Sequence, residues 1–342
     1  MRVLLACTLT GVLLLASQAK SISQAPLEFN YGIPTADHAT VFVAQDLGLF
    51  EKAGLKPTFY YFTSGAPLLA ALKSGSIDVA TAGLALTFAL GENIPLKFIF
   101  WEANNSAAEG LIVDPHSRIR SFRDVAKAGA IAAASGTCAQ VALYLMAKKV
   151  GVDYRKLNVV DIPAPLLQNA FLSHSIDAGI AWPPYSEALK AEGFRIASYD
   201  EAYTPPGGDC PGMTAVRPAF LQQHGEIGVK LLEVEAMARA AIAKNPQVGV
   251  NAFVKHLSIT PAVAKATLER ECCGRVPSFA DQLSPTSPFS MTSRDGGTIA
   301  KLVMASDALY QTKVLSAPIP LSTLQAAVDP QYLREYMAAH VK

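Results

Sequence analysis

The sequence predicts an α/β protein of two lobes, each built on a doubly wound, mostly parallel β-sheet. The chain has 342 residues, which is more than one hydrophobic core usually fills. Short β-branched or apolar stretches alternate with stretches of helical periodicity, which favours parallel strands joined by helices. This alternation occurs twice along the chain, so we expect one sheet in each lobe.

The N-terminus has the pattern of a cleaved export signal. Arg2 supplies a positive start, an apolar run covers residues 3–16, and small residues follow at Ser17 and Ala19. The apolar run is shorter than the ~20 residues of a typical membrane span. We therefore predict a signal peptide at residues 1–19 and a periplasmic mature protein, with a retained anchor as the alternative.

Composition and charge exclude several classes of protein. Hydrophobic residues make up 51% of the chain and charged residues 17%, which excludes a disordered chain. Lys and Arg number 29 against 28 for Asp and Glu, so no basic surplus is present for a nucleic-acid backbone. Nucleic acid is therefore not an expected partner.

The cysteines predict a disulfide rather than a metal site. Cys138, Cys210, Cys272 and Cys273 follow the signal, and export would place them in an oxidising compartment. We expect at least one disulfide, although spacing does not fix the pairing, and buried free thiols are the alternative. Their spacings match no zinc pattern, so we predict no metal and no cofactor.

The elements of the two sets can be placed by periodicity and by turn residues. In the first set we predict strands at residues 27–32, 58–63 and 77–82, and helices at 41–51 and 67–74. In the second set we predict strands at residues 130–134, 157–161 and 176–181, and helices at 137–150 and 165–173. Residues 71–78 and 170–177 are identical at five of eight positions with a constant offset of 99, which indicates a duplicated lobe.

The domain boundaries follow from this arrangement. We assign residues 26–113 and 213–342 to the first lobe and residues 114–212 to the second. A strand at residues 213–216 is expected to return the chain to the first lobe. Beyond it we predict helices at residues 228–244, 261–271 and 298–311, and a loop at 278–291.

Four stretches of the chain, in this order, match the motifs of one known family. The run 44–55 is similar to its opening helix, and Leu72 to Asp78 matches its Leu-x-x-Gly-x-Ile-Asp step. Glu109 to Val113 is similar to its Glu-x-Leu-x-Val strand, and Trp182 begins a similar Trp-x-Pro turn. From about residue 30 to 217 the chain thus resembles the nitrate-, sulfonate- and taurine-binding proteins of ABC importers, and it is nearest to the taurine-binding branch.

This resemblance implies a type II periplasmic-binding fold that holds its ligand between the lobes. Taurine, or a related small sulfonate or organic anion that can also carry an amine, would be the ligand. Closure of the lobes would mark the loaded state for an ABC permease and ATPase. The chain would act as a monomer.

Two loops are candidates for the anionic group of such a ligand. Ser135, Gly136 and Thr137 precede a predicted helix, where free backbone amides suit an anion. Residues 64–66, which are Ser64, Gly65 and Ala66, have the same layout in the first lobe. Ordinary helix capping is the alternative for both loops.

Other candidates would shape the rest of the cleft. Glu109 stands where the taurine-binding branch carries a carboxylate that faces the ligand amine, and an arginine partner is the alternative. Trp182 and Tyr185 would wall the cleft or pack in the core, and His38 lies in the first strand-to-helix loop.

Two positions depart from the taurine-binding pattern. Leu84 follows Gly83 where the family often carries hydroxyl residues, which favours a larger or more apolar solute. The resemblance puts an acidic contact near Gly212, and Asp209 would supply it only if that loop is rebuilt.

Two other functions remain open on the sequence. Cys138 begins a predicted helix and could act as a nucleophile in an enzyme related to pyrimidine-precursor synthases. The chain shows none of the common hydrolase, zinc-protease, phosphate-loop or dinucleotide motifs, so we predict a protein that is not an enzyme. A ligand-sensing partner of a receptor, or a binder of pyrimidine precursors, would look the same in sequence.

Overall fold

A computed structural model describes residues 25–36, 38–63, 65–208, 210–271 and 276–340. The predicted signal peptide lies outside these ranges. So do Ser64, Asp209, Cys272 and Cys273, and only the backbone of Ala66 is described.

The elements of the first half of the chain alternate as predicted. They are β1 (Leu27–Pro34), α1 (Ala39–Asp46), α2 (Leu49–Lys52), β2 (Leu55–Phe62), α3 (Gly65–Ser74), β3 (Val79–Ala82), α4 (Ala85–Gly91), β4 (Lys97–Asn104), β5 (Gly110–Val113), β6 (Ile131–Ala132), α5 (Cys138–Lys149), β7 (Val159–Val160), α6 (Leu167–Leu172), β8 (Ala178–Ala181), α7 (Tyr185–Ala191) and β9 (Arg195–Tyr199). The single helix predicted at residues 41–51 is two helices, because Gly48 takes a left-handed conformation with φ of 61° between them.

After one more strand the chain is helical, as predicted. The elements are β10 (Pro211–Val216), α8 (Pro218–Gln223), α9 (Ile227–Lys244), α10 (Gln247–Leu257), α11 (Pro261–Glu271), α12 (Phe279–Leu283), α13 (Gly297–Gln311), α14 (Leu321–Ala327) and α15 (Gln331–His340). The loop predicted at residues 278–291 contains α12. Ser278 and Asp281 start this helix with a capping box, which the surrounding Pro and Ser residues obscure in sequence.

The strands of the described residues form two five-stranded sheets. Their orders are β2-β1-β3-β10-β4 and β7-β6-β8-β5-β9. In each sheet four strands are parallel, while β10 or β5 runs antiparallel to both of its neighbours. The predicted α/β fold with two mostly parallel sheets is confirmed.

The two antiparallel strands are the strands at which the chain changes lobes. β5 follows β4 of the first sheet in sequence but pairs with β8 and β9 in the second. The boundary expected after residue 113 is therefore too late, because Gly110–Val113 makes its ladder hydrogen bonds in the second sheet. β10 returns from β9 to lie between β3 and β4.

The repeated sequence falls at equivalent places in the two sheets. In the first copy the amide of Ser76 donates to the carbonyl of Ala71 at 3.0 Å. In the second copy, 99 residues later, the amide of Ser175 donates to the carbonyl of Ala170, also at 3.0 Å. The two turns lead into β3 and β8, and each of these strands lies beside the antiparallel strand of its sheet.

The hydrophobic core follows the two sheets. One cluster of buried side chains packs the first sheet against its helices, including α9 and α13. Along β5, Leu111 and Val113 enter one cluster while Ile112 enters another, as the alternation of a strand requires. Among the described helices, none is both long enough and apolar enough to cross a bilayer.

Candidate functional site

The candidate site is a cleft at the carboxyl ends of the parallel strands of both sheets. Its empty space is about 820 Å³, including open solvent at its mouth. Residues that end β1 and β3, or that follow β6 and β8, line it. Open α/β sheets place their ligands at this edge.

Five helices begin at this cleft. The residues that line it at or next to the helix starts are His38 of α1, Gly65 of α3, Leu84 of α4, Thr137 of α5 and Tyr185 of α7. A helix start carries unsatisfied amide donors and a partial positive charge. The helix starts therefore favour the binding of an anion in the cleft, although none of its described lining residues is Lys or Arg.

Glu109 supplies an acidic side chain to the same cleft. It directly precedes β5, at the first crossing between the lobes, and its side chain is buried with 0% exposure. Its backbone is fixed on both sides, since its amide donates to Asn105 at 2.9 Å and its carbonyl accepts from Asp200 at 3.3 Å. A buried carboxylate in a cleft wall favours a cationic group in the solute.

His38 lies in the wall of the cleft with its ring oriented by a carboxylate beneath it. Its Nδ1 is 3.2 Å from Oε2 of Glu102 on β4, and the hydroxyl of Thr40 donates to the other Glu102 oxygen at 3.2 Å. His38 and Glu102 are both buried. The network fixes the orientation of the imidazole toward the cleft.

The predicted anion loop at residues 135–137 is only partly available to a ligand. The amide of Ser135 donates to Asp161 at 2.9 Å, and that of Gly136 donates to Gln140 at 2.8 Å. Neither residue lines the cleft, so their predicted contact with the ligand is not supported. Thr137 does line it, and its hydroxyl donates to the carbonyl of Ala134 at 2.7 Å.

The corresponding loop of the first lobe is described only in part. Gly65 begins α3 and lines the cleft, and a Cβ atom there would lie 3.0 Å from the Cβ of Ala85. Gly83 and Leu84 line the same wall, with Leu84 fully buried. Ser64 and Asp209 are outside the described residues, and their predicted roles stay predictions.

Trp182 and Tyr185 close the cleft from the second lobe. The hydroxyl of Tyr185 donates to the carbonyl of Thr35 in the first lobe at 2.7 Å. Its ring meets Trp182 edge-on, with 6.5 Å between the centroids. Both side chains line the cleft, and Tyr185 also joins the two lobes. Their contact with a ligand stays a prediction.

A disulfide between Cys138 and Cys210 forms part of the wall, which the sequence did not place there. Both cysteines are buried, line the cleft and are separated by 72 residues in the chain. The expected disulfide is present, but the hypothesis of a Cys138 nucleophile is wrong for this state because the sulfur is already bonded. No spacing rule pairs these two cysteines, since only the fold brings α5 next to the return crossing.

Thr35, Thr63 and Asn105 are polar lining residues that the sequence analysis missed. Thr35 and Thr63 directly follow β1 and β2, so the rule that ligands bind at strand ends could have found them. Asn105 lies in a short 3-10 turn after β4. That strand was not predicted, because its continuous apolar run fits a buried helix as well as a buried strand.

Comparisons with known proteins agree with this fold. Over 267 residues the chain is 24% identical to the taurine-binding periplasmic protein of Escherichia coli K12, covering 77% of this chain and 79% of that one. The alkanesulfonate-binding protein of Xanthomonas axonopodis pv. citri, solved with MOPS, superposes with a TM-score of 0.72 at 21% identity, covering 88% of this chain and 98% of that one. The chain spans about half the length of two other curated relatives, 47% of one and 55% of the other.

The fold also occurs in an enzyme. A structure of a desulfurization enzyme superposes with a TM-score of 0.60 at 13% identity, covering 92% of this chain and 99% of that one. The fold alone therefore does not separate binding from catalysis.

The family model described as NMT1/THI5 like matches residues 35–248. This range is more than half of the chain, and it contains both crossings between the lobes and all but one of the described residues that line the cleft. The chain belongs to the NMT1/THI5-like family.

Proposed function

We propose that the protein is the extracytoplasmic solute-binding component of an ABC importer and that it binds taurine or a related small sulfonate or organic anion. The observation that carries this proposal is the polarity of the cleft, where helix starts from both lobes surround one buried carboxylate. An amine on the solute would pair with Glu109, and its anionic group would accept from the helix starts of α3 and α5.

The remaining parts of the proposal rest on the chain and its relatives. A periplasmic location is supported by the predicted signal at residues 1–19 and by the similarity to a periplasmic taurine-binding protein. An ABC permease and ATPase would be the partners, and the chain would act as a monomer. We propose no catalysis, because the cysteine that the sequence offered as a nucleophile is held in a disulfide.

The first experiment is a thermal-shift screen of the mature protein with taurine, alkanesulfonates, aromatic acids, nitrate and thiamine precursors. A solute that binds only the folded state raises stability by RT ln(1 + [L]/Kd), about 4 kcal/mol at a thousandfold excess over Kd. A large shift with a sulfonate and no turnover supports the proposal. No shift with any sulfonate or organic anion would refute it.

Glu109→Gln tests the polarity of the site. Losing a charged partner should cost about 1.5–3 kcal/mol, which weakens taurine binding roughly 10- to 100-fold. Ethanesulfonate has no amine, so titration calorimetry should show little change for it. An equal loss for the two solutes would contradict pairing between Glu109 and the amine.

A further inference from the structure

We propose that Arg270 is a positioning residue for the cleft: from α11 in the first lobe it holds α7 of the second lobe, and with it Tyr185, in place. Arg270 is not among the described residues that line the cleft. α7 begins with Tyr185 at the cleft wall, and the next two residues, Ser186 and Glu187, are buried. The inference rests on the proposed function, because it concerns the affinity of the same cleft for a solute.

Helix α11 packs on the first lobe with one face and meets the second lobe with another. Ala264 and Leu268, four residues apart, belong to the buried cluster of the first sheet. Thr267 and Arg270 are three residues apart and share a different face of the helix. Helix α11 also packs against α7 of the second lobe and against the turn that follows β4. It therefore lies at the boundary between the lobes.

Two groups of the second lobe contact the guanidinium of Arg270. Its Nε lies 3.6 Å from Oε1 of Glu187 on α7, and its central carbon lies 4.5 Å from the centroid of the Tyr199 ring at the end of β9. Tyr199 pairs in the second sheet with Gly110, which directly follows Glu109. One side chain thus contacts both the helix at the cleft wall and the strand pair beside the cleft carboxylate.

The charge of Glu187 makes the contact between α7 and α11 depend on Arg270. The Glu187 side chain is 2% exposed. Among the described residues its other cationic partner is Lys190 of the same helix, whose Nζ lies 3.2 Å from Oε2. A buried carboxylate that loses a cationic partner is costly unless water replaces that partner. Without Arg270, hydration of Glu187 would therefore favour separation of α7 from α11.

Two buried hydroxyls oppose the same contact. Ser186 on α7 and Thr267 on α11 are both 0% exposed, and neither hydroxyl has a hydrogen-bond partner among the described residues. Water would pair with both if the helices separated, so their burial costs free energy. The contact is thus a balance, which Arg270 favours and the two hydroxyls disfavour.

The experiment compares variants by titration calorimetry with taurine and by small-angle scattering without it. Arg270→Ala should weaken taurine binding roughly 3- to 10-fold and enlarge the solute-free radius of gyration, since fewer molecules hold α7 at the cleft. Arg270 is partly exposed on a helix, where alanine is well tolerated, and circular dichroism checks the fold. Lys265→Ala, on the exposed face of α11, is the matched control and should change neither quantity.

Rescue separates positioning from a general loss of structure. In the Arg270→Ala background, Glu187→Gln should recover part of the lost affinity, because it removes the carboxylate that has lost its partner. Ser186→Ala should also recover part of it, because it removes a hydroxyl that disfavours the contact, although it adds no new bond. No recovery with either change would overturn the positioning role.

The same data distinguish this inference from the proposed function. If the parent protein binds taurine and Arg270→Ala changes neither the Kd nor the radius, the inference is overturned while the proposed function stands. If the parent protein does not bind taurine, the solute-free radius decides. A larger radius for Arg270→Ala than for Lys265→Ala would then support the hold of Arg270 on α7, and equal radii would overturn it.

Discussion

At the residue scale, Gly83 packs directly against the disulfide in the cleft wall. A Cβ atom at this position would lie 2.7 Å from Sγ of Cys210 and 2.9 Å from Sγ of Cys138. Real Cβ atoms do not approach sulfur so closely, and a disulfide cannot move aside as a flexible side chain can. The disulfide therefore leaves no room for a side chain at position 83.

Gly83→Ala should lower the free energy of unfolding by about 1–3 kcal/mol, the usual cost of overpacking. Urea unfolding of the oxidised protein measures it. Gly225→Ala is the matched control, because the nearest atom to its added Cβ would be the Leu221 carbonyl oxygen at 3.7 Å. An equal loss for the two variants would show that the sulfurs are not the obstacle.

The sequence could predict a lining residue where its place at the cleft depends only on its position at a strand end or a helix start. Glu109, His38 and Leu84 lie at the ends of strands or the starts of helices, so a correct order of elements places them at the cleft. Ser135 and Gly136 obey the same rule, yet their amides are taken by Asp161 and Gln140. That competition depends on side-chain directions that periodicity does not encode.

At the scale of elements, the duplicated turn is preserved in its backbone as well as its sequence. Gly75 and His174 occupy matching positions and both have positive φ, 76° and 54°. The amides of Asp78 and Asp177 then donate at 2.9 Å to the carbonyls of Asn30 and Ala130. His174 takes the left-handed conformation although it is not glycine. The two turns therefore share a backbone conformation at a position where their residues differ.

Helix α9 carries a buried ion pair beneath the first sheet. Burial raises the pKa of Glu235, and the Arg239 guanidinium opposes that rise from 2.6 Å while the carboxylate of Glu102 adds to it. Arg239 also donates to the carbonyls of Trp101 on β4 and Pro277 before α12. One arginine thus joins three elements.

The raised pKa of Glu235 predicts a pH dependence of stability. The folded protein binds this proton more tightly than the unfolded chain, so stability is greatest below the ordinary value of 4.5 and falls as pH rises through the raised pKa. Relative to Glu235→Gln, the wild type should therefore lose free energy of unfolding as pH increases from 4. Chemical denaturation across pH 4–8 measures this, with Glu233→Gln on the same helix as control. Parallel profiles for wild type and Glu235→Gln would contradict the assignment.

At the scale of the whole molecule, the lobes meet through a few specific contacts. Tyr185 bonds to Thr35 at the cleft, and Arg270 of α11 lies 3.6 Å from Glu187 of α7 and over the ring of Tyr199. These contacts join the two lobes on both sides of α7. Closure by hinge motion is how a two-lobed binding protein encloses its solute.

Tyr185→Phe should favour an open arrangement, since it removes the hydroxyl that bonds to the carbonyl and the hydroxyl of Thr35 in the other lobe, and a hydrogen bond is worth about 0.5–1.5 kcal/mol. Small-angle scattering of the solute-free variant should show a larger radius of gyration, and solute affinity should fall about 2- to 10-fold. Tyr60→Phe on the exposed face of β2 is the control. An unchanged radius and affinity would mean that Tyr185 contributes packing alone.

The position of β10 between β3 and β4 has a consequence for biosynthesis. β3 and β4 have no ladder with each other, and only β10, which begins at Pro211, joins them. Until that strand leaves the ribosome, β4 lacks its neighbour and the first sheet stays open between β3 and β4, although its other strands were made long before. Contacts so distant in sequence form slowly. We therefore expect nascent chains shorter than about 210 residues to remain sensitive to protease.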